Sequence, residues 1–252
     1  MTTYSAPTRD MQFVINELSS LSEVAALPAF TEREVGLGLL EAVLEEAAKL
    51  ATEVLAPLNK VGDVQGTRMS PEGVITADGF SEAYHQFIEG GWNGIGCPSE
   101  FGGQGLPEII NTATQEMWNS ANMSFALCPL LNTSAIAAIS NVGSSEQKAL
   151  YLPKMISGEW TGTMNLTESQ AGSDLSAVRT RAVLDGDHYR LFGQKIFITW
   201  GEHNMTPNTI HLVLARTPDA PEGVKGISLF IVPKFLVNPD GSLGARNDVH
   251  AV

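Results

Sequence analysis

Three segments of the chain combine hydroxyl, aromatic and small residues in patterns that can hold a ligand. The first, MNLTESQAGSD, covers 164–174 and runs from an extended stretch into the small-residue turn Ala-Gly-Ser at 171–173. Backbone N–H groups in such a turn can approach an anion closely, as pyrophosphate binding requires. The hydroxyl of Thr167, at the end of the extended stretch, can donate to or accept from a planar heterocycle. On these residues alone, an ordinary strand and turn is the simpler interpretation.

The other two segments are KIFITWGEH, residues 195–203, and GGWNGIGCPSEFGGQGLP, residues 90–107. The first of these is a second β-type run that ends on a hydroxyl, at Thr199. Its Phe197 and Ile198 are equally suited to a hydrophobic core. The Gly- and Pro-rich segment is too irregular for a helix or strand and taken alone predicts a structural connection.

Helical periodicity dominates the chain before these strands. Thr31 and Glu34 fit a capping box, and apolar residues follow at three- and four-residue steps as far as Leu55. We expect Pro57 to end this long helix. Further helices are predicted near 80–89, 108–127 and 130–139, and a last one is predicted to be capped by Ser144 or Ser145.

After Gly158 the period changes to short β-branched and aromatic runs. Strands are predicted at 161–166, 195–199, 210–215 and 227–232, and a hairpin joins 178–184 to 189–192 through an Asp-Gly-Asp turn. Helices followed by strands, without alternation, predict an α+β protein. We therefore expect an N-terminal all-helical domain, residues 1–157, and a middle β domain, residues 158–252, folded as an antiparallel barrel or sandwich.

Composition narrows the classes of function. Fifteen Lys and Arg against 28 Asp and Glu give a formal net charge of −13, which argues against nucleic-acid binding. No run of about 18 apolar residues predicts a membrane span, and the N-terminus lacks a secretory pattern. We therefore expect a cytoplasmic protein in which the two cysteines are buried, free thiols.

Several common enzyme signatures are missing from the sequence. The five histidines are scattered without metal-ligand spacing, so no metal site is predicted. There is no G-x-G-x-x-G, no phosphate-binding G-x-x-x-x-G-K-[ST], no H-E-x-x-H and no G-x-S-x-G. A Rossmann nucleotide site, a P-loop, a zinc protease and an α/β-hydrolase therefore have no support.

Four ordered motifs together resemble the acyl-CoA dehydrogenase family. They are GIGCPSEFGGQG at 94–105, SSEQKALYLPKMISGEW at 144–160, MNLTESQAGSD at 164–174 and KIFITWGEH at 195–203. The resemblance covers essentially the whole chain. The opening YSAPTRDMQF and the turn ITWGEHNM are more similar to a longer bacterial subgroup that includes 3-methylmercaptopropionyl-CoA dehydrogenases.

The resemblance implies FAD-contacting residues in the segment 164–174. Met164, Leu166 and Thr167 match the strand whose backbone and hydroxyl meet the pyrimidine edge of the flavin. Met164 departs from the aromatic residue that is frequent there, which puts a stacking contribution at that position in doubt. Gly172 and Ser173 match the turn at the cofactor pyrophosphate, and Ser173 also matches a residue that contacts the CoA moiety of the substrate.

The segment 195–203 is implied to lie behind the isoalloxazine ring. Phe197 would stack there, where many relatives have Trp, and Ile198 belongs to the same strand. Thr199 would form a hydrogen bond near flavin N5. Glu168 matches a motif position that is not the catalytic base, and we assign it no chemistry.

The activity implied by the resemblance is oxidation of an acyl-CoA to the trans-2-enoyl-CoA. A glutamate removes the α-proton, the β-hydrogen leaves as hydride to the flavin, and an electron-transfer flavoprotein takes up the electrons. In the family that glutamate lies in a C-terminal helical bundle, which also completes the FAD site and drives homo-oligomer formation. By the family pattern the chain stops inside the β domain, so we expect the bundle and every catalytic residue to be absent, and the isolated chain to be inactive.

Two alternatives keep the fold and change the function. One is a flavin-dependent oxidase or monooxygenase, in which O2 reoxidises the flavin. The other is a non-catalytic scaffold or a nucleic-acid-binding relative.

Overall fold

The computed structural model describes residues 4–31 and 33–252, and most of its helices precede Gly158. Two π-helical stretches, Val14–Leu18 and Leu50–Leu55, follow the first and third α-helices without a break. The described residues form the α-helices α1 Thr8–Phe13, α2 Leu21–Ala25, α3 Leu37–Lys49, α4 Ala56–Gln65, α5 Phe80–Glu89, α6 Glu108–Val142 and α7 Ser145–Ile156. A small antiparallel hairpin, β1 Arg68–Ser70 with β2 Gly73–Ile75, lies between α4 and α5, where no strand was predicted.

The predicted capping box before α3 is wrong. The helix begins after Gly36, and no side chain of the described residues accepts a hydrogen bond at this N-terminus. The Thr31 hydroxyl donates to the carbonyl of Pro28 at 3.3 Å, and Glu34 has a left-handed backbone, φ 46°. A complete capping box occurs at α7 instead. Ser144 Oγ accepts from the Gln147 N–H, and the Gln147 side chain accepts from the Ser144 N–H. This confirms Ser144 as the cap of α7.

Pro57 does not end the long helix, as had been predicted. Proline lacks an N–H and its ring crowds the carbonyl four residues earlier, so it is tolerated in a first helical turn. The π-helical stretch Leu50–Leu55 interrupts the α-helical hydrogen bonds just before Pro57. Pro57 therefore lies in the first turn of a new α-helix, α4. The chain therefore continues in helical conformation to Gln65.

The long helix α6 is kinked at Asn122 and not at the predicted break near 128–129. Asn122 has φ −158° and ψ 87°, outside the helical region. Its Oδ1 accepts from the Phe125 N–H at 3.1 Å and from the Ser124 hydroxyl at 2.7 Å, and its Nδ2 donates to the Leu55 carbonyl at 3.1 Å. One side chain thus caps the second half of α6 and ties it to the end of the π-helical stretch.

In the described ranges, α6 is the one helix long and apolar enough to cross a membrane by length and composition. It packs on α3, α4 and α7 and against the first strand of the sheet, and it buries Asn111, Asn122 and Asn132. These are the contacts of a core helix.

The β part is a mixed sheet with two separate hairpins. β3 Trp160–Asn165, β6 Asn208–Ala215 and β7 Ser228–Pro233 lie in the order β3-β6-β7. The hairpins are β4 Arg181–Asp185 with β5 His188–Phe192, and β8 Phe235–Val237 with β9 Leu243–Arg246.

The order of the helical part and the β part confirms the α+β prediction. The β part was predicted to be an antiparallel barrel or sandwich, and the described residues form a mixed sheet without closing a barrel. β6 pairs antiparallel with β7 and parallel with β3. Parallel neighbours need a long crossover connection, and residues 166–207, including the β4–β5 hairpin, supply it. No closed barrel forms among residues 4–31 and 33–252.

The helical and β parts are packed together. β3 lies on α6 and α7, and the Tyr84 hydroxyl donates to the Gly158 carbonyl at 2.9 Å. Cys97 and Cys128 are both buried, and burial raises the pKa of the Cys97 thiol to about 11. The division into two domains at Gly158 stays a prediction, because contacts run across it.

Candidate functional site

The two hydroxyl-bearing segments lie side by side, although they are far apart in the sequence. The Ile196 N–H donates to the Thr167 carbonyl at 2.9 Å, and Lys195 Nζ donates to the Leu166 carbonyl at 3.1 Å. The Thr163 hydroxyl, on β3, donates to the Thr199 carbonyl at 2.7 Å. The end of β3 therefore positions the segment 195–199.

This segment is not the strand that was predicted. Residues 195–200 form an irregular stretch and turn, in which Phe197 has φ 57° and Trp200 has φ 54°. Two left-handed non-glycine residues cannot belong to a regular strand, and backbones of this kind persist only where surrounding contacts impose them.

Glu168 is the buried centre that joins the two segments. Its carboxylate accepts hydrogen bonds from Lys195 Nζ at 2.8 Å and from the Thr180 hydroxyl at 2.6 Å. It also accepts from the backbone N–H groups of Arg179 and Thr180 and from the side-chain amide of Gln170. Burial by itself would raise the pKa of Glu168, but these hydrogen bonds lower it to about 2. At neutral pH the group is therefore an anion whose two oxygens are both occupied by hydrogen-bond donors.

The small-residue turn follows directly and faces solvent. Glu168 and Ala171 exchange two backbone hydrogen bonds of 3.0 Å, which closes a tight turn just before Gly172 and Ser173. Both of these residues are exposed. Asp174 then caps a short 3-10 turn by accepting from the Ser176 N–H at 2.9 Å.

Three hydroxyls and one aromatic ring at this site have no partner within the described parts of the chain. The hydroxyls of Thr167, Ser173 and Thr199 form no hydrogen bond there, and the Phe197 side chain is 90% exposed. An exposed aromatic on a left-handed backbone, beside unpaired hydroxyls, suits a planar heterocycle that offers both donors and acceptors. The exposed turn at Gly172 has no side chain within 4 Å of the place where a Cβ would lie, so a diphosphate can reach its amides. These groups fit a flavin dinucleotide.

Comparison with known proteins decides the family. The pattern described as "Acyl-CoA dehydrogenase, N-terminal domain" matches residues 40–159, and "Acyl-CoA dehydrogenase, middle domain" matches residues 163–249. The chain belongs to the acyl-CoA dehydrogenase family. The sequence prediction of this family is confirmed.

Similar acyl-CoA dehydrogenases include two bacterial proteins of known name. The chain is 51% identical to 3-methylmercaptopropionyl-CoA dehydrogenase of Ruegeria pomeroyi, over 99% of this chain and 42% of that protein. It is 38% identical to a butyryl-CoA dehydrogenase of Syntrophomonas wolfei subsp. wolfei, over 98% of this chain and 41% of that protein. The solved butyryl-CoA dehydrogenase of Megasphaera elsdenii is 26% identical with a TM-score of 0.64, over 77% of this chain and 47% of that chain. The chain thus spans less than half the length of these relatives.

The structure of this family member brings most of the predicted site residues to one region. The two joined segments carry Leu166, Thr167, Ile198 and Thr199, and Phe197 lies at the bend of the second segment. Gly172 and Ser173 follow on the exposed turn. Met164 is different, because its side chain packs against the core between the sheet and α7. The cofactor roles of all eight residues stay predictions.

Two residues of the site were not found by sequence reasoning. Lys195 holds both segments, and Trp200 anchors the second segment to the helical part. Both lie in the motif KIFITWGEH, but nothing in its spacing shows that Lys195 pairs with Glu168, 27 residues away.

The histidine near the site forms hydrogen bonds within the protein. His203 is buried; its Nδ1 accepts from the Met205 N–H at 3.2 Å, so its Nε2 carries the hydrogen and donates to Thr161 Oγ1 at 2.9 Å. Burial, then the charges of Lys234 and His211, lowers the pKa of His203 to about 3. Among the described residues no cluster of His, Cys, Asp or Glu could hold a metal ion.

Proposed function

We propose that this chain is the FAD-binding and acyl-CoA-binding part of an enzyme that oxidises an acyl-CoA thioester to the trans-2-enoyl-CoA. The observation that carries the proposal is the pair of segments at 164–173 and 195–199, which present three unpaired hydroxyls and an exposed aromatic ring together. Family membership supports FAD as the cofactor and is compatible with a role in fatty acid metabolism. The 51% identity to a 3-methylmercaptopropionyl-CoA dehydrogenase favours a small acyl group in the substrate.

FAD, when bound, would supply the acceptor for the β-hydrogen of the substrate. The Thr167 hydroxyl would bind the polar edge of the ring system, and the Thr199 hydroxyl would donate near its reactive nitrogen. Phe197 would cover one face of the ring and exclude water, which strengthens the polar contacts beneath it. The amides of Gly172 and Ser173 would hold the diphosphate, and Ser173 would also contact CoA.

The proton-abstracting glutamate is proposed to lie outside this chain. Glu168, the carboxylate next to Thr167, is fully hydrogen-bonded and has its pKa lowered to about 2, so it is a poor base. The chain covers 42% of its relative in Ruegeria pomeroyi, which is compatible with a base located elsewhere in the complete gene product. We further propose a cytoplasmic homo-oligomer that passes electrons to an electron-transfer flavoprotein.

The proposal is tested by replacing Thr199 in the complete gene product. Thr199→Val removes one hydrogen bond, worth about 0.5–1.5 kcal/mol, and should shift the absorption spectrum or the reduction potential of the flavin. Thr199→Ser keeps the hydroxyl and is the matched control, with a spectrum close to that of the wild type. A purified protein that takes up NAD, or no flavin at all, refutes the proposal.

A second measurement separates the proposed dehydrogenase from an oxidase. Reduced flavin in a dehydrogenase should be reoxidised much faster by an electron-transfer flavoprotein than by air. Faster reoxidation by air would favour the oxidase or monooxygenase, whereas salt-dependent retention on DNA without flavin uptake would favour a non-catalytic relative.

A further inference from the structure

Trp200 connects the candidate flavin site to the helical part of the protein. Its indole Nε1 donates to the Ser124 carbonyl at 2.9 Å, 76 residues earlier in the chain. Its ring stacks on Phe80 of α5, with a centroid distance of 6.4 Å and an interplanar angle of 27°. The residue that ends the turn at 197–200 is therefore fixed on α5 and α6, and its ring also meets the His203 ring edge-on at a centroid distance of 5.5 Å.

The point of attachment on α6 is itself fixed. Ser124 lies two residues after the kink, and its hydroxyl donates to Asn122 Oδ1 at 2.7 Å. The Asn122 side chain in turn donates to the Leu55 carbonyl at 3.1 Å. A continuous set of hydrogen bonds thus leads from the π-helical stretch through the kink to Trp200.

The remainder of the turn has few contacts of its own. Phe197 has a left-handed backbone although its side chain is 90% exposed, so its own packing does not hold that conformation. Thr199 is exposed and is held through its carbonyl, which accepts from the Thr163 hydroxyl. Further along, Asn204 Oδ1 accepts from the N–H and hydroxyl of Thr76 at 3.0 and 3.1 Å. Strained backbone of this kind persists when neighbouring contacts over-determine it, and Trp200 provides the contacts next to the tip.

We propose that Trp200 is a positioning residue, which holds the Phe197–Thr199 turn in the conformation that presents the Phe197 ring and the Thr199 hydroxyl to the flavin. This inference rests on the proposed function. It adds that the geometry of the flavin site depends on the kink in α6, through a side chain that is bonded to α6 and stacked on α5.

The test compares Trp200→Phe and Trp200→Leu in the complete gene product, with Trp92→Phe as a matched control. Trp92 belongs to the same hydrophobic core and contacts Trp118, but it does not touch the turn. Hydrogen–deuterium exchange at residues 196–201 reports the turn without flavin. The dissociation constant for FAD and the absorption spectrum of the bound flavin report the site.

Trp200→Phe keeps the stacked ring and loses the hydrogen bond, so exchange at 196–201 should rise about 3- to 10-fold, the equivalent of one hydrogen bond. FAD should bind more weakly by a similar factor, with a shifted flavin spectrum. Trp200→Leu should exceed both effects, and Trp92→Phe should show neither. Exchange in β6 and the thermal midpoint check that Trp200→Phe remains folded.

Two results would overturn the inference. One is exchange at 196–201 that matches the wild type in Trp200→Leu. The other is faster exchange in the turn together with an unchanged FAD affinity and spectrum. A wild-type protein that takes up no FAD is a separate result: it refutes the proposed function, and it is seen before any variant is made.

Discussion

Replacing Glu168 by glutamine should destabilise this protein severely, although the residue is expected to take no part in catalysis. The side chains of Glu168 and Lys195 are 5% and 7% exposed, so the pair is shielded from water. Five hydrogen-bond donors point at the carboxylate, from Lys195, Thr180, Arg179 and Gln170. A glutamine would turn its NH2 group toward some of these donors and leave the Lys195 ammonium buried without a counter-ion. Losing one partner of a buried pair costs about 3–5 kcal/mol.

The pKa of Glu168 gives an independent magnitude and a pH dependence. A fall from 4.5 in the unfolded chain to about 2 in the folded protein corresponds to about 3 kcal/mol of stability at neutral pH. Because the folded pKa is the lower one, this stability is present above pH 4.5 and is lost as the pH falls toward 2. At pH 3.5 about 2 kcal/mol should remain.

The measurement is urea unfolding, followed by circular dichroism at pH 7 and pH 3.5. Glu168→Gln should lose about 3 kcal/mol at pH 7, with a smaller difference from the wild type at pH 3.5. The control is Glu159→Gln, which removes the half-exposed partner of Lys154 and should cost less than about 1 kcal/mol. The double variant Glu168→Gln/Lys195→Met should be more stable than Glu168→Gln alone, because no buried charge remains. Equal stability of Glu168→Gln and the wild type at pH 7, or a difference that is the same at both pH values, refutes this reasoning.

Three further predictions concern other parts of the chain. The pKa of His203 is lowered from 6.5 to about 3 by burial and by the Lys234 and His211 charges, so its ring should show no titration by NMR between pH 8 and 5. The residue destabilises the fold only as the pH falls from 6.5 toward 3. A titration midpoint near pH 6.5 would contradict its buried geometry. Gly103→Ala should unfold the 94–105 loop, because the new methyl group would overlap the Cys97 carbonyl. Gly38→Ala in α3 meets nothing within 4 Å and should stabilise the protein by about 0.5–1 kcal/mol. Equal thermal midpoints for the two variants would show that the loop adapts to the methyl group. The isolated 252-residue chain should not turn over a panel of acyl-CoA thioesters in a dye-reduction assay with excess FAD; a rate near that of the complete gene product would mean that a carboxylate within these residues is the base.

Elements with a clear local period were predictable from the sequence. The strands predicted at 161–166, 210–215 and 227–232 correspond to β3, β6 and β7, each within about two residues at either end. The Asp-Gly-Asp turn located the β4–β5 hairpin, and Ser144 located the start of α7. In each case the signal lies within a few neighbouring residues, so it can be read without knowing the tertiary structure.

Features set by distant contacts were not predictable in this way. Pro57 has the chemistry of a helix stop, but the π-helical stretch before it changes which carbonyls need a partner. Phe197-Ile198-Thr199 has the composition of a strand. The next residue, Trp200, is bonded to α6 and stacked on α5, and Phe197 and Trp200 have left-handed backbones. Nothing within either segment records the partner that decides its conformation.

The candidate site combines both kinds of information. The hydroxyls of Thr167 and Thr199 can be picked out by residue type and motif, but their juxtaposition depends on Lys195 reaching the Leu166 carbonyl and the Glu168 carboxylate. A buried charged pair adds little net stability over an apolar pair, but it can fix one register between two segments of the chain. At this site the arrangement it fixes is the register of two segments that carry the unpaired groups. The residues that make the site chemically suitable are therefore recognisable by type and motif, whereas the Glu168–Lys195 pair that gives it a shape is buried and could be found only in the structure.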